Sequence, residues 1–185
     1  MQMTGLRIRT ARLDLVAAAL THVEAELESA DRLAALLGAR VPASWPPGEY
    51  DRGAQEYFRE RLEEGGEAVV GWLGWYAVRR ETGGEPALLV GAGGYLGPPG
   101  PDGEVEMGYS LVPEARGSGY ATELAGALLD RALAHPGVSR VVAHTDAGNA
   151  ASIRVLERTG FHPAGAGAEP GSLRFEAART SRARP

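Results

Sequence analysis

The chain has 185 residues, a net charge of -5, 44% hydrophobic residues and no cysteine. This length and apolar content predict one domain with its own core, and the negative charge argues against a nucleic-acid surface. The lack of cysteine excludes disulfides, thiolate metal sites and a cysteine nucleophile. The chain also has no lysine, which excludes Schiff-base chemistry and a Walker-type phosphate loop.

The N-terminal part predicts short strands followed by short helices. Residues 6–9 and 13–16 have strand composition on either side of Arg12. Residues 18–37 are rich in helix formers, but the pattern is interrupted near Asp31, which predicts two helices rather than one.

A loop and a surface helix are predicted next. Residues 40–51 contain three prolines, which remove backbone donors and restrict the residues before them, and an exposed tryptophan, Trp45. Residues 55–64 predict a helix that ends at the pair Gly65 and Gly66.

Three strands are predicted in the middle of the chain. Residues 68–79 and 87–95 are apolar, aromatic and β-branched, and they flank turn chemistry at 82–84, which predicts a hairpin. After a Pro-rich connector at 98–103, apolar and polar residues alternate over 104–112. One face of this third strand is therefore expected to join the core, and the other to carry Glu104 and Glu106.

The remaining pattern is helix, strand, helix. An Ala- and Leu-rich helix is predicted over 118–134, a buried strand over 139–145 and a second helix over 149–159. Strand-helix-strand order predicts that 104–112 and 139–145 form a parallel pair with a right-handed crossover. The last two predictions are a strand at 172–178 and a frayed tail at 180–185.

A glycine-containing turn between the third strand and its following helix predicts an anion site. The first amides of a helix have no internal partners and the helix dipole is positive there, so they can bind phosphate. An ordinary strand-to-helix turn is the alternative. Residues 91–94 are also glycine-rich, but a Pro-rich loop follows them instead of a helix, which excludes a dinucleotide fingerprint. The predicted phosphate site consists of Arg116, Gly117, Ser118, Gly119, Tyr120 and Ala121.

Several spaced motifs around this turn resemble one family. The segments 106–109, 113–123 and 149–161, in this order, resemble the GNAT acetyltransferase superfamily. Residues 10–15, with the sequence Thr-Ala-Arg-Leu-Asp-Leu, are similar to the branch that contains the ribosomal-protein alanine N-acetyltransferases. The resemblance spans most of the chain and is strongest over 104–161.

The resemblance implies an α/β (α+β) fold, a single domain over 1–185 with a mixed, splayed central sheet flanked by helices. It implies that acetyl-CoA enters between the strands that end near Val112 and Thr145. The backbone of Leu111 and Val112 would pair with the pantetheine arm, and the phosphate site would hold the pyrophosphate. Glu114 departs from the superfamily pattern, which has Gln or Arg at this position, so it is not predicted to bind the cofactor.

Glu106 is the candidate for taking the proton of the amine, directly or through water, because it lies on the polar face of the strand leading to the phosphate site. A solvated strand glutamate is the alternative. Glu104 lies further from the phosphate site and is a weaker candidate. His144 could titrate near neutral pH, but its place in a strand favours a packed histidine over a base.

The helix at 149–159 lacks one residue that the superfamily uses. Many members donate the thiolate proton from a tyrosine seven residues after the motif asparagine, and this position is Leu156. Ser152 matches the serine of the resembled branch and becomes the candidate donor to sulfur, with a role in capping or back-bonding the helix as the alternative. Asn149 is implied to contact the pantetheine arm, and its type and place also suit a helix N-cap.

The Pro-rich loop could cover the acceptor, where its acidic residues would suit a cationic amine, although an ordinary surface loop is favoured. The loop residues in question are Trp45, Glu49, Tyr50 and Asp51.

The sequence thus predicts an N-acetyltransferase that moves acetyl from acetyl-CoA to a primary amine by direct attack. An acyl-CoA sensor without turnover and an unrelated nucleotide-binding protein are the alternatives. The expected partner is an amine, either a small molecule or a protein N-terminus, and a homodimer is compatible. Scattered histidines and the lack of about 20 consecutive apolar residues predict no metal, no membrane partner and a cytoplasmic location.

Overall fold

The computed structural model describes residues 5–179, so the tail predicted at 180–185 lies outside the described residues. Its centre is an eight-stranded sheet with the strand order β1-β2-β3-β4-β5-β6-β8-β7. Neighbouring strands are antiparallel except for β5 and β6, which are parallel as predicted. The strands are β1 Arg7–Arg9, β2 Leu13–Ala17, β3 Gly74–Arg79, β4 Leu88–Tyr95, β5 Glu104–Leu111, β6 Arg140–Asp146, β7 His162–Ala166 and β8 Ser172–Ala178.

Helices cover both faces of the sheet, because alternate residues of the central strands are apolar on each side. One face packs on the fourth and fifth helices through a core that includes Leu13, Trp75 and Leu128. The other face, with Tyr76 and Leu89, packs on the first three helices. The helices are α1 Leu20–Glu28, α2 Ala30–Leu37, α3 Arg52–Gly65, α4 Tyr120–Ala134 and α5 Ala150–Thr159.

The mixed, splayed sheet flanked by helices is confirmed, and the two short helices predicted in 18–37 are both present. They divide at Ser29, two residues before Asp31, where the Ser29 hydroxyl caps α2 by accepting from the amide of Arg32. Residues 91–94 lie inside β4, where a Cβ on Gly91 would stand 2.5 Å from the Ser110 carbonyl oxygen. These glycines therefore allow close packing of β4 against its neighbouring strands.

Two local predictions are wrong, and one strand was not predicted. The strand predicted from residue 68 begins only at Gly74, because Gly66–Val69 is a 3-10 helix and Gly71 turns the chain at φ +86°. Strand β7 was not predicted, since all five of its residues are exposed and it has no apolar alternation. Trp45 is half-buried instead of exposed because its indole N–H bonds to a carboxylate inside the fold. Within 5–179, no helix is long and apolar enough to cross a bilayer.

The carboxylate that bonds to Trp45 belongs to Glu26 of α1. It holds the Pro-rich loop against the first three helices. Oε1 accepts from Trp45 Nε1 at 2.6 Å and from Gln55 Nε2 at 2.9 Å. Oε2 accepts from the hydroxyls of Tyr76 at 2.6 Å and Tyr50 at 2.8 Å. Burial raises the pKa of Glu26 above its ordinary value, and the four hydrogen bonds oppose this shift only in part.

We expect Glu26→Ala to lower the free energy of unfolding by about 2 to 4 kcal/mol, because several buried donors lose their acceptor at once. Urea denaturation monitored by tryptophan fluorescence measures this change. Glu24→Ala, on the exposed side of the same helix, is the matched control and should stay within about 0.5 kcal/mol of the wild type. Equal stabilities of the two variants would contradict the structural role of Glu26.

Candidate active site

The site forms where the two parallel strands separate. β5 pairs with β6 only from Glu104 to Glu106, opposite residues 140–142, although both strands continue beyond that point. From residue 107 to the end of β5, the side facing β6 is therefore open. Two clefts lie along this opening, and Tyr109 and Ser110 line both of them.

The two residues predicted to pair with pantetheine differ in their backbone contacts. The N–H of Val112 donates to the Val90 carbonyl, and its own carbonyl accepts from Ala115, so both groups are bonded within the chain. Because backbone groups alternate sides along a strand, those of Leu111 face away from β4 and towards the opening, where the Leu111 carbonyl accepts from Arg116 Nε at 3.3 Å. The Val112 N–H is already used, whereas each carbonyl oxygen keeps a second lone pair for a further donor.

The predicted phosphate site contains free amides. After the 3-10 turn Pro113–Ala115, α4 begins at Tyr120, and its N-cap Gly119 has φ +83° and makes no side-chain cap. Within the described chain, the amides of residues 117–122 have no hydrogen-bond acceptor. A Cβ on Gly117 would meet no atom within 4 Å, so the turn is open to a ligand. This arrangement has the geometry required to bind a phosphate group.

Glu123 lies in the first turn of α4, and its hydrogen bonds link the start of this helix to the turn between β1 and β2. Its Oε1 accepts from the backbone N–H of Arg12 at 2.6 Å and from the Thr10 hydroxyl, and its Oε2 accepts from Arg12 Nε at 2.8 Å. The Arg12 guanidinium also donates to the Ser118 carbonyl at 2.7 Å and lies 4.5 Å from the centre of the Tyr120 ring. Burial raises the pKa of Glu123, but the bonds from Thr10 and Arg12 outweigh it and leave the pKa below its ordinary value.

The cleft beside this helix start, which we call the cofactor cleft, has a volume of about 480 Å³. Its charged lining residues are Arg116, Arg154 and Arg158, and none of the described residues that line it is acidic. Asn149 also lines it and caps α5 by accepting from the Ser152 amide at 3.0 Å, which confirms the N-cap. A cleft with arginines and free amides suits a polyanion.

Ser152 contacts a tyrosine from β5. The hydroxyls of Ser152 and Tyr109 are 3.0 Å apart, and no bond from the Ser152 hydroxyl to its own helix is found within 5–179. Burial raises the pKa of Tyr109, partly offset by this hydrogen bond, so the phenol is protonated at neutral pH. Leu156, at the position of the superfamily tyrosine, is buried. Tyr109 therefore supplies a phenol next to Ser152 from a different element.

The second cleft, which we call the acceptor cleft, has a volume of about 280 Å³ and the opposite charge. Glu49 and Glu106 line it together with aromatic rings, and no arginine is among its described lining residues. His144 lines it as well, and its Nδ1 lies 3.1 Å from Glu106 Oε1. This cleft suits a cation with an apolar part.

Glu104, by contrast, is part of an ion-pair network. Its Oε2 accepts from Arg140 Nε at 2.7 Å and from Arg174 Nη2 at 2.9 Å. The hydrogen bond from Arg174, followed by that from Arg140, lowers the pKa of Glu104 below its ordinary value. Because both arginines bind its carboxylate, Glu104 has a structural role.

The Pro-rich loop reaches the acceptor cleft with two of its four candidate residues. Glu49 and Tyr50 line the cleft, whereas Trp45 bonds to Glu26 and Asp51 caps α3 by accepting from the Ala54 amide. The loop packs closely on β5, because a Cβ on Gly48 would lie 2.7 Å from the Ser110 hydroxyl. Earlier in the same loop, the Ser44 hydroxyl donates to the Glu114 carboxylate at 2.7 Å.

Three residues near this site were not predicted to belong to it. Arg12 was part of a family motif, Tyr109 was an apolar strand position, and His144 was favoured as a packed histidine. The predicted parallel pairing could have located His144, because it follows Val142, the partner of Glu106, by two residues on the same face. Within 5–179, no cluster of three or more His, Asp and Glu side chains could hold a metal ion.

Comparisons with known proteins agree with this geometry. A family model described as an acetyltransferase (GNAT) domain matches residues 18–162. The uncharacterized N-acetyltransferase YjdG of Bacillus subtilis (strain 168) is 32% identical over 125 residues, which make up 68% of this chain and 71% of that protein.

Two solved structures share the fold. An acetyltransferase from Agrobacterium tumefaciens str. C58 superposes with a TM-score of 0.63 at 22% identity, covering 97% of this chain and 98% of that one. RimL, a ribosomal L7/L12 α-N-protein acetyltransferase crystallised with coenzyme A, gives a TM-score of 0.62 at 21% identity, covering 94% and 98%. With the family model extending over most of its length, the chain belongs to the GNAT family and is an acetyltransferase.

Proposed function

We propose that this acetyltransferase moves acetyl from acetyl-CoA to the primary amine of a cationic substrate. The observation that carries the proposal is the opposite charge of the two clefts, which meet at Tyr109 and Ser110. Arginines and free amides line the cofactor cleft, and carboxylates and aromatic rings line the acceptor cleft. An anionic acyl donor and a cationic acceptor would each enter one cleft and react where the clefts join.

The cofactor contacts follow from the open helix start. The amides of residues 117–121 would bind the pyrophosphate, and Arg116 would add charge at its edge. The backbone of Leu111 would pair with the pantetheine arm along the open side of β5, which brings the thioester towards Tyr109 and Ser152. The solved structure of RimL is a complex with coenzyme A, which supports coenzyme A as the acyl carrier.

The chemistry requires a base on one side of the thioester and an acid on the other. Glu106 and His144 lie together in the acceptor cleft, and this pair would receive the proton of the substrate ammonium. The free amine would attack the thioester carbonyl directly, with no acyl-enzyme. Ser152, hydrogen-bonded to the protonated Tyr109, would give a proton to the departing thiolate.

A panel of amines tests the proposal: a diamine, an aminoglycoside and a peptide with a free N-terminus, each with acetyl-CoA. We expect release of free thiol and a mass increase of one acetyl group on at least one amine. Binding of acetyl-CoA without turnover of any amine would support the alternative of an acyl-CoA sensor. Absence of acetyl-CoA binding at high micromolar concentration would refute both.

Arg116→Ala should weaken acetyl-CoA binding about tenfold, because one charge-assisted contact to phosphate is lost. Isothermal titration calorimetry measures the change, which should shrink at high salt. Arg61→Ala on the surface of α3 removes the same charge far from the cleft and should bind like the wild type. If both variants bind equally, Arg116 does not contact the cofactor.

Ser152→Ala should lower kcat about 10- to 100-fold with the dissociation constant of acetyl-CoA unchanged, since the hydroxyl is needed only as the thiolate leaves. Steady-state kinetics and calorimetry separate the two quantities. Ser139→Ala, before the other end of β6, is the matched control with unchanged kcat. An unchanged kcat in Ser152→Ala would move the proton donor elsewhere, with Tyr109→Phe as the next variant to measure.

A further inference from the structure

A carboxylate and an imidazole from two different strands meet where β5 and β6 separate. Glu106 is the last β5 residue paired with β6, where it lies opposite Val142. His144 follows Val142 by two residues and so projects from the same face of the sheet. Its Nδ1 lies 3.1 Å from Glu106 Oε1, and both side chains line the acceptor cleft.

Other charged residues lie near this pair. Glu49 lines the same cleft from the Pro-rich loop and adds a second carboxylate there. Arg174 lies opposite His144 on β8, but its guanidinium donates to Glu104 and Glu176. On the β7 side, a Cβ on Gly167 would be 3.2 Å from the His144 Cδ2 atom, so an uncharged backbone covers this edge of the ring. Within 5–179, His144 is the one hydrogen-bond or ion-pair partner of the Glu106 carboxylate.

We propose that His144 is the catalytic base of the acetyl transfer and that Glu106 positions it. The carboxylate accepts a hydrogen bond from Nδ1–H, which fixes the ring and assigns the lone pair to Nε2. Within the described chain Nε2 has no protein partner, so it can take a proton from a substrate in the acceptor cleft. Imidazoles exchange protons near neutral pH, which suits them to this task better than an ordinary carboxylate.

The assignment rests on the proposed function, and its protons balance. The substrate ammonium gives one proton to Nε2 of neutral His144 and becomes a free amine. The nitrogen lone pair attacks the thioester carbonyl, and the C–N bond forms as the C–S bond breaks. The remaining surplus proton on nitrogen passes to sulfur through the Ser152 hydroxyl. The products are an acetamide, the CoA thiol and one proton, which His144 releases to water.

Chemical rescue tests this role. We expect His144→Ala to lower kcat/KM about 100- to 1000-fold with acetyl-CoA binding unchanged. Imidazole added at tens of millimolar should restore activity at least tenfold, in proportion to its concentration. His162→Ala on the exposed β7 is the matched control, with wild-type activity and no response to imidazole. A His144→Ala variant with activity near the wild type, or one that imidazole does not restore, would overturn the assignment.

His144→Asn separates a base from a residue that only positions Glu106. The asparagine amide can still donate to Glu106 but has no basic nitrogen, so we expect activity as low as that of His144→Ala. If His144→Asn is as active as the wild type, Glu106 is the base and His144 only orients it. A wild-type protein that binds acetyl-CoA but acetylates no amine overturns the proposed function, whereas a fully active His144→Ala overturns this assignment alone.

Discussion

The limited pairing of β5 with β6 is the constraint on which the rest of the site depends. Parallel strands that stayed paired to their ends would bury the backbone of residues 107–111 and leave no opening in the sheet. Here the pairing stops at Glu106, and both clefts lie along the resulting gap. Near this point of separation, the side chains of Glu106, Tyr109 and His144 line the same cleft.

Two polar networks hold the elements around this gap in fixed positions. Glu123 joins the start of α4 to the turn before β2, and Arg12 extends the same network to the Ser118 carbonyl. The acceptors in these bonds are the Glu123 carboxylate and the Ser118 carbonyl. The amides of residues 117–122 take no part in them, so the start of α4 is fixed in place while these N–H groups stay free. On the acceptor side, Glu26 holds Tyr50 and Trp45 and thereby fixes the loop that lines the cleft.

Charge separation follows from this arrangement. A chain with net charge -5 has an arginine-lined cleft because Arg116, in the turn before α4, and Arg154 and Arg158, on α5, line the same cleft. The acidic side chains of the acceptor cleft come from β5 and the loop on the other side. Between low-dielectric walls such a separation favours an anion in one cleft and a cation in the other.

The sequence by itself determined the order of most elements, the parallel pair and the glycine turn before α4, because turn glycines, prolines and apolar periodicity act over a few residues. It also identified Glu106 and Ser152 as polar groups near that site. Only the tertiary structure decided what these groups contact. The partners of Glu106, Ser152 and Glu26 lie between 19 and 50 residues away in the chain, and a strand like β7 has no local apolar pattern at all. Such contacts arise from strand register and helix docking, which no local pattern encodes.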